Sequence, residues 1–571
     1  MPKIKRLNLG CSDFKSIITN NNYYIDKSLF IEELIQSQNA VMLFPRPRRF
    51  GKTLNLSMLK YYFDKNEPEN EKLFTKLKIW QTDDEVKQHC GKYPVIFLSF
   101  KDAKANNWED CFELISYEIS KLYKQHIYLL KGDMLYDFEK NVFNQILNET
   151  ASKVKYQNSL KQLSEFLQRY HSEKVVILVD EYDTPIQSGY DKYYEDVIMF
   201  MRNMLSGAYK DNIHLYKGAI TGILRVSKES IFSGLNNLSV YSILDSKFSD
   251  KFGFTEPEIK QIIEDFKVKT KYSQIKEWYN GYKFGKTEDI YNPWSILNFI
   301  LQPEDGFKAY WTNTSANELI KNEIKKKDAD TVRKDILKLI NNEPIIKDIE
   351  ENFVFPDLKN DTDLLWALLF YSGYLTVNRK IALNEYELII PNYELKIIFK
   401  KTILEWLKKD IKIIKSLLQN TANYLINNKI EEFEKGFKQI IGDTFSYYDT
   451  AKNHEYVYQS YILGLLTIIG DDYIIKSNRE SGEGRYDIML IPHDKSKNGV
   501  VIEIKQLAVK TNHNLSEKQL INKSITEAKN QIDKNKYYKE LIDNKLKKEN
   551  IVKVPIVFVG KEPYISLINN D

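Results

Sequence analysis

One segment, RYDIMLIPHDKSKNGVVIEIK at residues 485–505, constrains the fold more tightly than any other part of the sequence. Two apolar runs, IMLI and GVVI, flank a stretch of polar and turn-forming residues, which is typical of two strands joined by a hairpin. Folding the chain back about position 495 sets Asp487 opposite Glu503, within one residue of register. Lys505 lies two residues beyond Glu503, so the pattern predicts that these two side chains share a face of the sheet.

Two carboxylates that face each other across a sheet repel, which destabilises a hairpin that has only a structural role. A divalent cation between Asp487 and Glu503 would reverse the sign of that interaction. Lys505 could then orient a water or stabilise charge on a phosphate. The alternative is a solvated hairpin whose charges keep a sheet edge soluble. That alternative explains less, because Asp487 and Glu503 lie inside the apolar runs and not at their ends.

The segments on either side of the hairpin also carry polar residues in apolar patterns. Upstream, HEYVYQSYILGLLTIIG has a helical period and contains Glu455. Downstream, ITEAKNQIDKNKYY predicts a helix that carries Gln531 and is followed by Tyr537, and VPIVFVG predicts a closing strand. The order of helix, hairpin, helix and strand resembles the PD-(D/E)xK nuclease superfamily. Tyr486 stands where that superfamily often has proline.

The nuclease resemblance implies a restriction-endonuclease-like α/β fold. It also implies that Asp487, Glu503 and Glu455 ligate Mg²⁺, while Glu503, Lys505 and Gln531 serve with Asp487 in catalysis.

A second pattern lies near the other end of the chain, where a short apolar strand (40–44) is followed by PRPRRFGKT and a helical period. Gly51, Lys52 and Thr53 form the functional half of a Walker A loop. Glycine lets the backbone approach phosphate, lysine reaches the outer phosphates, and the threonine hydroxyl is a ligand for Mg²⁺. Arg46 stands where the first glycine of that loop is expected.

A further apolar run, VVILVDEYD at 175–183, has the form of a Walker B strand. Asp180 would hold Mg²⁺ through water, and Glu181 would polarise the attacking water. The segment KGAITGILRV predicts another strand that ends at Arg225, a candidate arginine finger, with Thr221 as a candidate γ-phosphate sensor. All these motifs follow predicted parallel strands, where open α/β sheets bind ligands. The alternative for Asp180 and Glu181 is an exposed strand-end turn.

Further motifs complete the pattern: YYIDKSLFIEELI, ILVDEYDTPI, ITGILRVSKESIFSGLNNL, WYNGYKFG and YNPWSIL. Together with the loop above they resemble the AAA-ATPase-like family that is fused to a PD-(D/E)xK domain, over about residues 5–315 and 440–565. The resemblance implies a P-loop NTPase fold with a parallel sheet and helices on both faces, and ATP and Mg²⁺ as cofactors. Arginine in place of the first loop glycine is usual in this family, and Arg48 and Arg49 join the nucleotide-binding residues.

Composition is that of a large intracellular enzyme. The apolar stretches fall short of a bilayer span, the start lacks a signal-peptide core, and three widely spaced cysteines predict a reducing, cytoplasmic location. The net charge of +4 excludes a globally basic nucleic-acid binder, but residues 505–553 hold twelve lysines against six acids. These lysines form either a local face that neutralises phosphates or an ordinary solvated helix.

We therefore predict a P-loop AAA-ATPase-like domain at 1–255, a helical lid and middle region at 256–440 that follows an N-cap at Thr255, and a nuclease-like domain at 441–571. The predicted function is Mg²⁺-dependent cleavage of nucleic acid, with DNA as the expected substrate, under nucleotide control. Two alternatives remain: a nucleotide switch that binds nucleic acid or a protein through an inactive nuclease fold, and a nuclease whose ATPase domain only binds nucleotide and organises homo-oligomers. No membrane partner is expected.

Overall fold

The computed structural model describes the chain except for residues 1–4, 226–230, 233–236, 312–328, 341, 352–356, 359–362, 400–414, 445–461, 463–464, 467–468, 470–471, 482–483, 508–515, 561 and 568–571. Two compact units are present. The first comprises Met1–Glu323 and Ile346–Leu395, and the second comprises Ile324–Ile345 and Lys396–Asp571. The three-domain boundaries stay a prediction.

The strands in chain order are β1 (Val41–Pro45), β2 (Val95–Ser99), β3 (Val175–Asp180), β4 (Leu215–Gly222), β5 (Leu238–Val240), β6 (Tyr282–Phe284), β7 (Thr287–Ile290), β8 (Ile345–Asp348), β9 (Thr376–Lys380), β10 (Glu385–Ile389), β11 (Tyr473–Ser481), β12 (Gly484–Pro492), β13 (Gly499–Leu507), β14 (Ile551–Val559) and β15 (Glu562–Tyr564).

The helices in chain order are α1 (Phe14–Thr19), α2 (Leu29–Gln36), α3 (Lys52–Phe63), α4 (Asp84–Lys87), α5 (Trp108–Gln125), α6 (Asp137–Leu147), α7 (Lys153–His171), α8 (Thr184–Gly189), α9 (Tyr194–Tyr209), α10 (Glu256–Asp265), α11 (Tyr272–Tyr279), α12 (Pro293–Leu301), α13 (Ala329–Ile340), α14 (Asp363–Tyr371), α15 (Lys415–Ile426), α16 (Ile430–Thr444), α17 (Glu517–Lys534) and α18 (Lys539–Asp543). Among the described helices, none is long and apolar enough to cross a membrane.

The sheet of the first unit has the strand order β2-β3-β4-β1-β5, and all of its neighbouring strands are parallel. Every residue of β1 and β3 is buried, as expected of parallel strands that are covered on both faces. Their carboxyl ends meet at one edge, and α3 begins there directly after the loop that leaves β1. This confirms the predicted α/β class and places both sequence motifs at the same edge of the sheet.

Residues after the parallel sheet form helices and small sheets within the first unit. Helix α10 has its N-cap at Thr255, as predicted. The Thr255 backbone N–H donates to Glu258 Oε2 over 2.7 Å, and Pro257 lies in the first turn. Strands β6 and β7 pair as an antiparallel hairpin, and β9 pairs antiparallel with β10. In the N-terminal half of this region, Tyr279 of α11 and Phe299 of α12 are buried in one apolar cluster with residues of α10.

The sheet of the second unit has the order β11-β12-β13-β14-β15. Strands β11, β12 and β13 are antiparallel, whereas β13 and β14 are parallel and are joined through α17. Side chains alternate between the two faces, as the period of two requires. Ile488 and Ile502 pack with residues of α15 and α16, while Met489 and Val501 pack with Ile532 of α17. The hairpin and the closing β-α-β arrangement are therefore confirmed.

Candidate active sites

The loop between β1 and α3 adopts a backbone in which two residues lie in the left-handed region. Gly51, at the N-cap of α3, has φ of +86°, and Arg49 has φ of +66°. Glycine tolerates this conformation, whereas arginine pays about 1 kcal/mol or more for it. The exposed guanidinium of Arg49 lies 4.3 Å from the centroid of the Trp294 ring. This contact helps to hold the strained position.

The side chain of Lys52 folds back against the loop that precedes α3. Its ammonium donates to the carbonyl oxygens of Arg46 and Pro47, each over 3.0 Å, and only 5% of the residue is exposed. Burial lowers the pKa of Lys52, and the nearby charges of Glu181 and Asp183 oppose that effect. The ammonium therefore lies within the loop that would enclose phosphates, without a carboxylate in direct hydrogen-bond contact in the described part of the chain.

Asp180, at the end of β3, joins two of the other predicted residues, Thr53 and Thr221. Its Oδ2 accepts from the Thr53 hydroxyl over 2.8 Å, and its Oδ1 accepts from the Thr221 hydroxyl over 2.6 Å. The carboxyl is fully buried, and burial raises its pKa while the two hydroxyls oppose the rise. Hydroxyl and carboxylate oxygens at this spacing are the ligand types that Mg²⁺ prefers. The donor set therefore fits a Mg²⁺ ion between Thr53 and Asp180.

Glu181 follows directly and has φ of +51°, in the left-handed region. Its side chain is half-buried and accepts from the Thr184 hydroxyl over 3.3 Å, and its carbonyl accepts from the Thr184 N–H over 3.0 Å. Left-handed residues other than glycine persist only where surrounding contacts hold them, and they concentrate at functional sites. At Glu181 the backbone therefore leaves the extended conformation of β3.

Arg46, where the loop pattern expects glycine, is a buried structural residue. Its guanidinium donates to the carbonyls of Pro45 (2.9 Å), Tyr241 (2.5 Å) and Phe248 (3.4 Å). It also lies 4.8 Å from the ring centroid of Phe252. Burial lowers the pKa of Arg46 to about 9. No glycine is needed at this position because Arg46 is not in the left-handed region.

Arg225 does not end β4, contrary to the sequence prediction, because the strand stops at Gly222. A side chain at Gly222 would approach within 2.7 Å of Asp183 Oδ1, so the close approach of this acid requires the glycine. Arg225 lies in the loop that follows and forms an ion pair with Glu351, with Nη1 and Oε2 2.8 Å apart. The candidate finger is therefore engaged by an acid of the same unit.

Several supporting residues were missed by the sequence reasoning. The carbonyl of Arg48 accepts from Asn292 over 3.3 Å and from the Trp311 indole over 3.4 Å. Glu394 is buried and accepts from the Trp311 N–H over 2.6 Å and from Ser295 over 2.7 Å. Burial raises the pKa of Glu394 to about 7. The motif YNPWSIL contains Asn292, but no local pattern indicates that it contacts the loop.

The second candidate site lies on the hairpin of β12 and β13. The observed pairing of Ile488 with Ile502 sets Asp487 opposite Glu503, as the sequence predicts. Asp487 Oδ2 accepts from the N–H of Ile504 over 2.7 Å, and Lys505 Nζ lies 3.0 Å from Glu503 Oε1. The carboxylates and the lysine therefore come together on one face of the sheet. Carboxylate oxygens are ligands that a divalent cation such as Mg²⁺ prefers.

Gln531 lies on α17, which covers the same face of the sheet, and its amide donates to the Tyr537 hydroxyl over 3.0 Å. Asn535 donates to the same hydroxyl over 3.0 Å. A side chain at Gly484, near the start of β12, would meet the Tyr537 ring at 3.0 Å. Gln531 is thus fixed beside the strand that carries Asp487. The predicted ligand Glu455 lies outside the described residues.

Carboxylates and lysines in the described part of the chain decide how metal and phosphate could be bound. In that part of the chain, no group of three or more His, Cys, Asp or Glu side chains lies close enough to hold a metal ion. Each candidate Mg²⁺ site therefore rests on fewer protein carboxylates, completed by hydroxyls, waters or substrate oxygens. Four lysines of α17 are exposed: Lys518, Lys523, Lys529 and Lys534.

Residues 8–232 match the family described as a predicted AAA-ATPase, and residues 453–566 match the PD-(D/E)XK nuclease superfamily. An uncharacterised protein from the vnfD 5' region of Azotobacter chroococcum is 28% identical over 411 residues, which is 70% of each chain. A Walker-type ATPase of Pyrococcus abyssi matches 70% of this chain and 99% of its own, at 14% identity and a TM-score of 0.36. ATPases generally bind a nucleotide, and both ATPases and PD-(D/E)XK nucleases generally use a divalent metal.

Proposed function

Since the chain contains an AAA-ATPase-like domain and a PD-(D/E)XK nuclease domain, which make it an enzyme, we propose that it hydrolyses ATP and cleaves nucleic acid with Mg²⁺. DNA is the expected substrate. The observation that carries the proposal is the meeting of Thr53, Asp180 and Thr221 at one edge of a parallel sheet. The juxtaposition of the acids and the lysine on the β12–β13 hairpin supports the nuclease half.

In the ATPase domain, Lys52 exchanges the carbonyls that it now contacts for the outer phosphates of ATP. Thr53 and Asp180 hold Mg²⁺, which neutralises charge on the phosphates when bound. Glu181 accepts a hydrogen bond from the attacking water and orients it toward the terminal phosphate. The hydroxyl of Thr221 links Asp180 to β4. The position of Thr221 should therefore change when the terminal phosphate of ATP leaves.

In the nuclease domain, Asp487 and Glu503 hold Mg²⁺, which supplies Lewis-acid stabilisation of the phosphodiester when bound. Lys505, half-exposed beside Glu503, orients the attacking water or stabilises charge on the phosphate. The exposed lysines of α17 neutralise phosphates of the nucleic acid. Nucleotide control is the regulatory part of the proposal: ATP must bind the cleavage-competent state better than the idle state, and a hundredfold preference corresponds to about 2.7 kcal/mol.

The deciding experiment incubates the purified chain with plasmid, linear duplex or single strands, with and without Mg²⁺ and ATP. We expect Mg²⁺-dependent cleavage of DNA. Chelation with EDTA should stop the reaction. ATP turnover without cleavage of any DNA or RNA substrate would overturn the nuclease half and favour the nucleotide switch with an inactive nuclease fold.

A variant series separates the nucleotide role from the cleavage role. Lys52→Ala should weaken MgATP binding by at least about a hundredfold in calorimetry, because the loop loses the cation that meets the phosphates. Lys60→Ala, on the same helix α3, is the matched control and should bind normally. Cleavage rates are then measured with ATP, ADP or no nucleotide in wild type and Lys52→Ala. Equal rates in all six conditions would overturn nucleotide control and leave two independent activities.

A further inference from the structure

Asp183, the third acid of the VDEYD segment, connects the turn after β3 to the loop after β4. Its carboxyl is buried, and Oδ2 accepts from the backbone N–H groups of Ile223 over 2.9 Å and Leu224 over 3.1 Å. Burial raises the pKa of Asp183, and these two N–H groups oppose the rise. The carboxyl thereby fixes the first residues after β4, directly before Arg225.

Gln187 on α8 extends this connection to the phosphate loop. Its amide nitrogen donates to the same Asp183 Oδ2 over 2.7 Å, and its amide oxygen accepts from Arg48 Nη2 over 3.2 Å. The guanidinium is partly buried, and burial lowers its pKa while the charges of Asp183 and Glu181 oppose the effect. A continuous path of hydrogen bonds therefore runs from the loop after β1 to the loop after β4.

We propose that Gln187 is a positioning residue that transmits occupancy of the phosphate loop to the residues after β4. The inference rests on the proposed function, because it takes nucleotide phosphate as the ligand of Arg48. A guanidinium carries five N–H donors in a planar fork, so Arg48 can bind a phosphate oxygen and keep its bond to Gln187. Bound phosphate then immobilises Arg48, and the path through Gln187 and Asp183 stiffens the loop that carries Arg225.

The amide of Gln187 suits this role because it donates and accepts at the same time. Gln187→Glu keeps an acceptor for Arg48 but sets a carboxylate against Asp183, so it breaks only the second half of the path. Gln187→Met has a similar volume and removes both hydrogen bonds. Ser188→Ala is the matched control on α8, because the Ser188 hydroxyl donates to the Ala105 carbonyl over 3.0 Å and contacts neither Arg48 nor Asp183 in the described part of the chain.

The test is hydrogen exchange of the full chain, measured on peptides that contain Ile223 and Leu224, with and without Mg²⁺ and a non-hydrolysable ATP analogue. In wild type and Ser188→Ala the analogue should slow exchange at these two amides by about fivefold or more. In Gln187→Met and Gln187→Glu this slowing should disappear, while calorimetry shows analogue affinity within about threefold of wild type.

ATP kinetics supply a readout that a merely structural role would not move. Gln187→Met should lower kcat about tenfold with KM within about threefold, and the double variant with Arg48→Ala should be no slower than Arg48→Ala alone, because both act through one path. Additive effects in this cycle overturn the inference. The inference is also overturned if the analogue leaves hydrogen exchange at Ile223 and Leu224 unchanged in wild type although calorimetry records binding. That result leaves the proposed function standing. Absence of nucleotide binding in calorimetry overturns the proposed function and the inference together.

Discussion

The two candidate sites of this chain are built in opposite ways. The nucleotide site gathers Thr53, Asp180 and Thr221 from one helix and two strands of the first unit, and its central acid is 0% exposed. The nuclease site takes its acids and its lysine from a single hairpin, and the Lys505 side chain is 35% exposed. A site assembled from distant segments depends on the stability of its whole domain. A site on one hairpin depends mainly on register, so its chemistry and its stability should respond separately to substitution.

The largest expected effect tests the separability of the hairpin site. Glu503→Gln or Lys505→Ala should lower Mg²⁺-dependent cleavage about a thousandfold or more, because each removes a group that acts on the phosphodiester. Lys435→Ala, at an exposed position of α16, is the control and should cleave within about threefold of wild type. Cleavage assays and circular dichroism together decide the matter. A variant of Glu503 or Lys505 that cuts as well as wild type shows that the active site is elsewhere.

A pair of Arg→Gly variants in the nucleotide loop tests the opposite case, where site and stability are linked. Arg46→Gly should lower the free energy of unfolding by about 3 kcal/mol or more, since three buried carbonyls lose their donor. Arg49→Gly should be neutral or stabilising by up to about 1 kcal/mol, because glycine relieves the left-handed strain. Urea titrations of both variants give the values. Equal destabilisation by the two variants would contradict the structural role of Arg46.

Glu394, which accepts from the Trp311 N–H beside the nucleotide loop, predicts a pH dependence of stability. Its pKa rises from 4.5 to about 7 in the folded protein, so its protonated form is the one that the fold favours. The stabilisation is complete below pH about 4.5 and is lost as the pH rises through about 7. Across that window wild type should lose up to about 3 kcal/mol relative to Glu394→Gln. Urea titrations from pH 5 to 8 measure the difference, and a constant difference would show that Glu394 does not titrate there.

The smallest expected effect concerns the ion pair of Arg225 and Glu351. Both side chains are partly exposed, so Glu351→Gln should change the free energy of unfolding by less than about 1 kcal/mol. Releasing Arg225 should raise ATP turnover by about two- to fivefold, which corresponds to the same energy. Turnover is compared with that of Glu350→Gln as the control. A decrease in turnover would show that the ion pair supports the active arrangement and does not restrain it.

The two sites also differ in how far sequence predicts them. The facing of Asp487 and Glu503 follows from a period of two and one turn, so the hairpin register was predictable from local pattern. The ends of β1 and β3 were predictable for a similar reason, because buried parallel strands are continuous apolar runs. The sequence predicts that Asp180 and Glu181 follow the strand β3. It does not predict the left-handed backbone of Glu181, because that conformation depends on surrounding contacts.

What the sequence did not predict is the support around the nucleotide loop. Asn292 and Trp311 hold the Arg48 carbonyl across 244 and 263 residues of chain, and no local periodicity reports contacts of that range. Arg46 was noted as a departure from the loop pattern, but its buried position depends on Tyr241 and Phe248 from the segment after β5. Roles set by long-range packing become visible only once the fold is known.

The strand order of the parallel sheet has a consequence for synthesis on the ribosome. Strand β1 lies between β4 and β5, and Lys217 of β4 bonds to the carbonyl of Ser37, 180 residues earlier in the chain. At about 5–20 residues per second, the ribosome needs roughly 10 to 40 s to make that interval. Throughout this time the apolar run of β1 has been made but both of its neighbours have not. Strand β1 is therefore the segment that a nascent-chain chaperone would have to shield for longest.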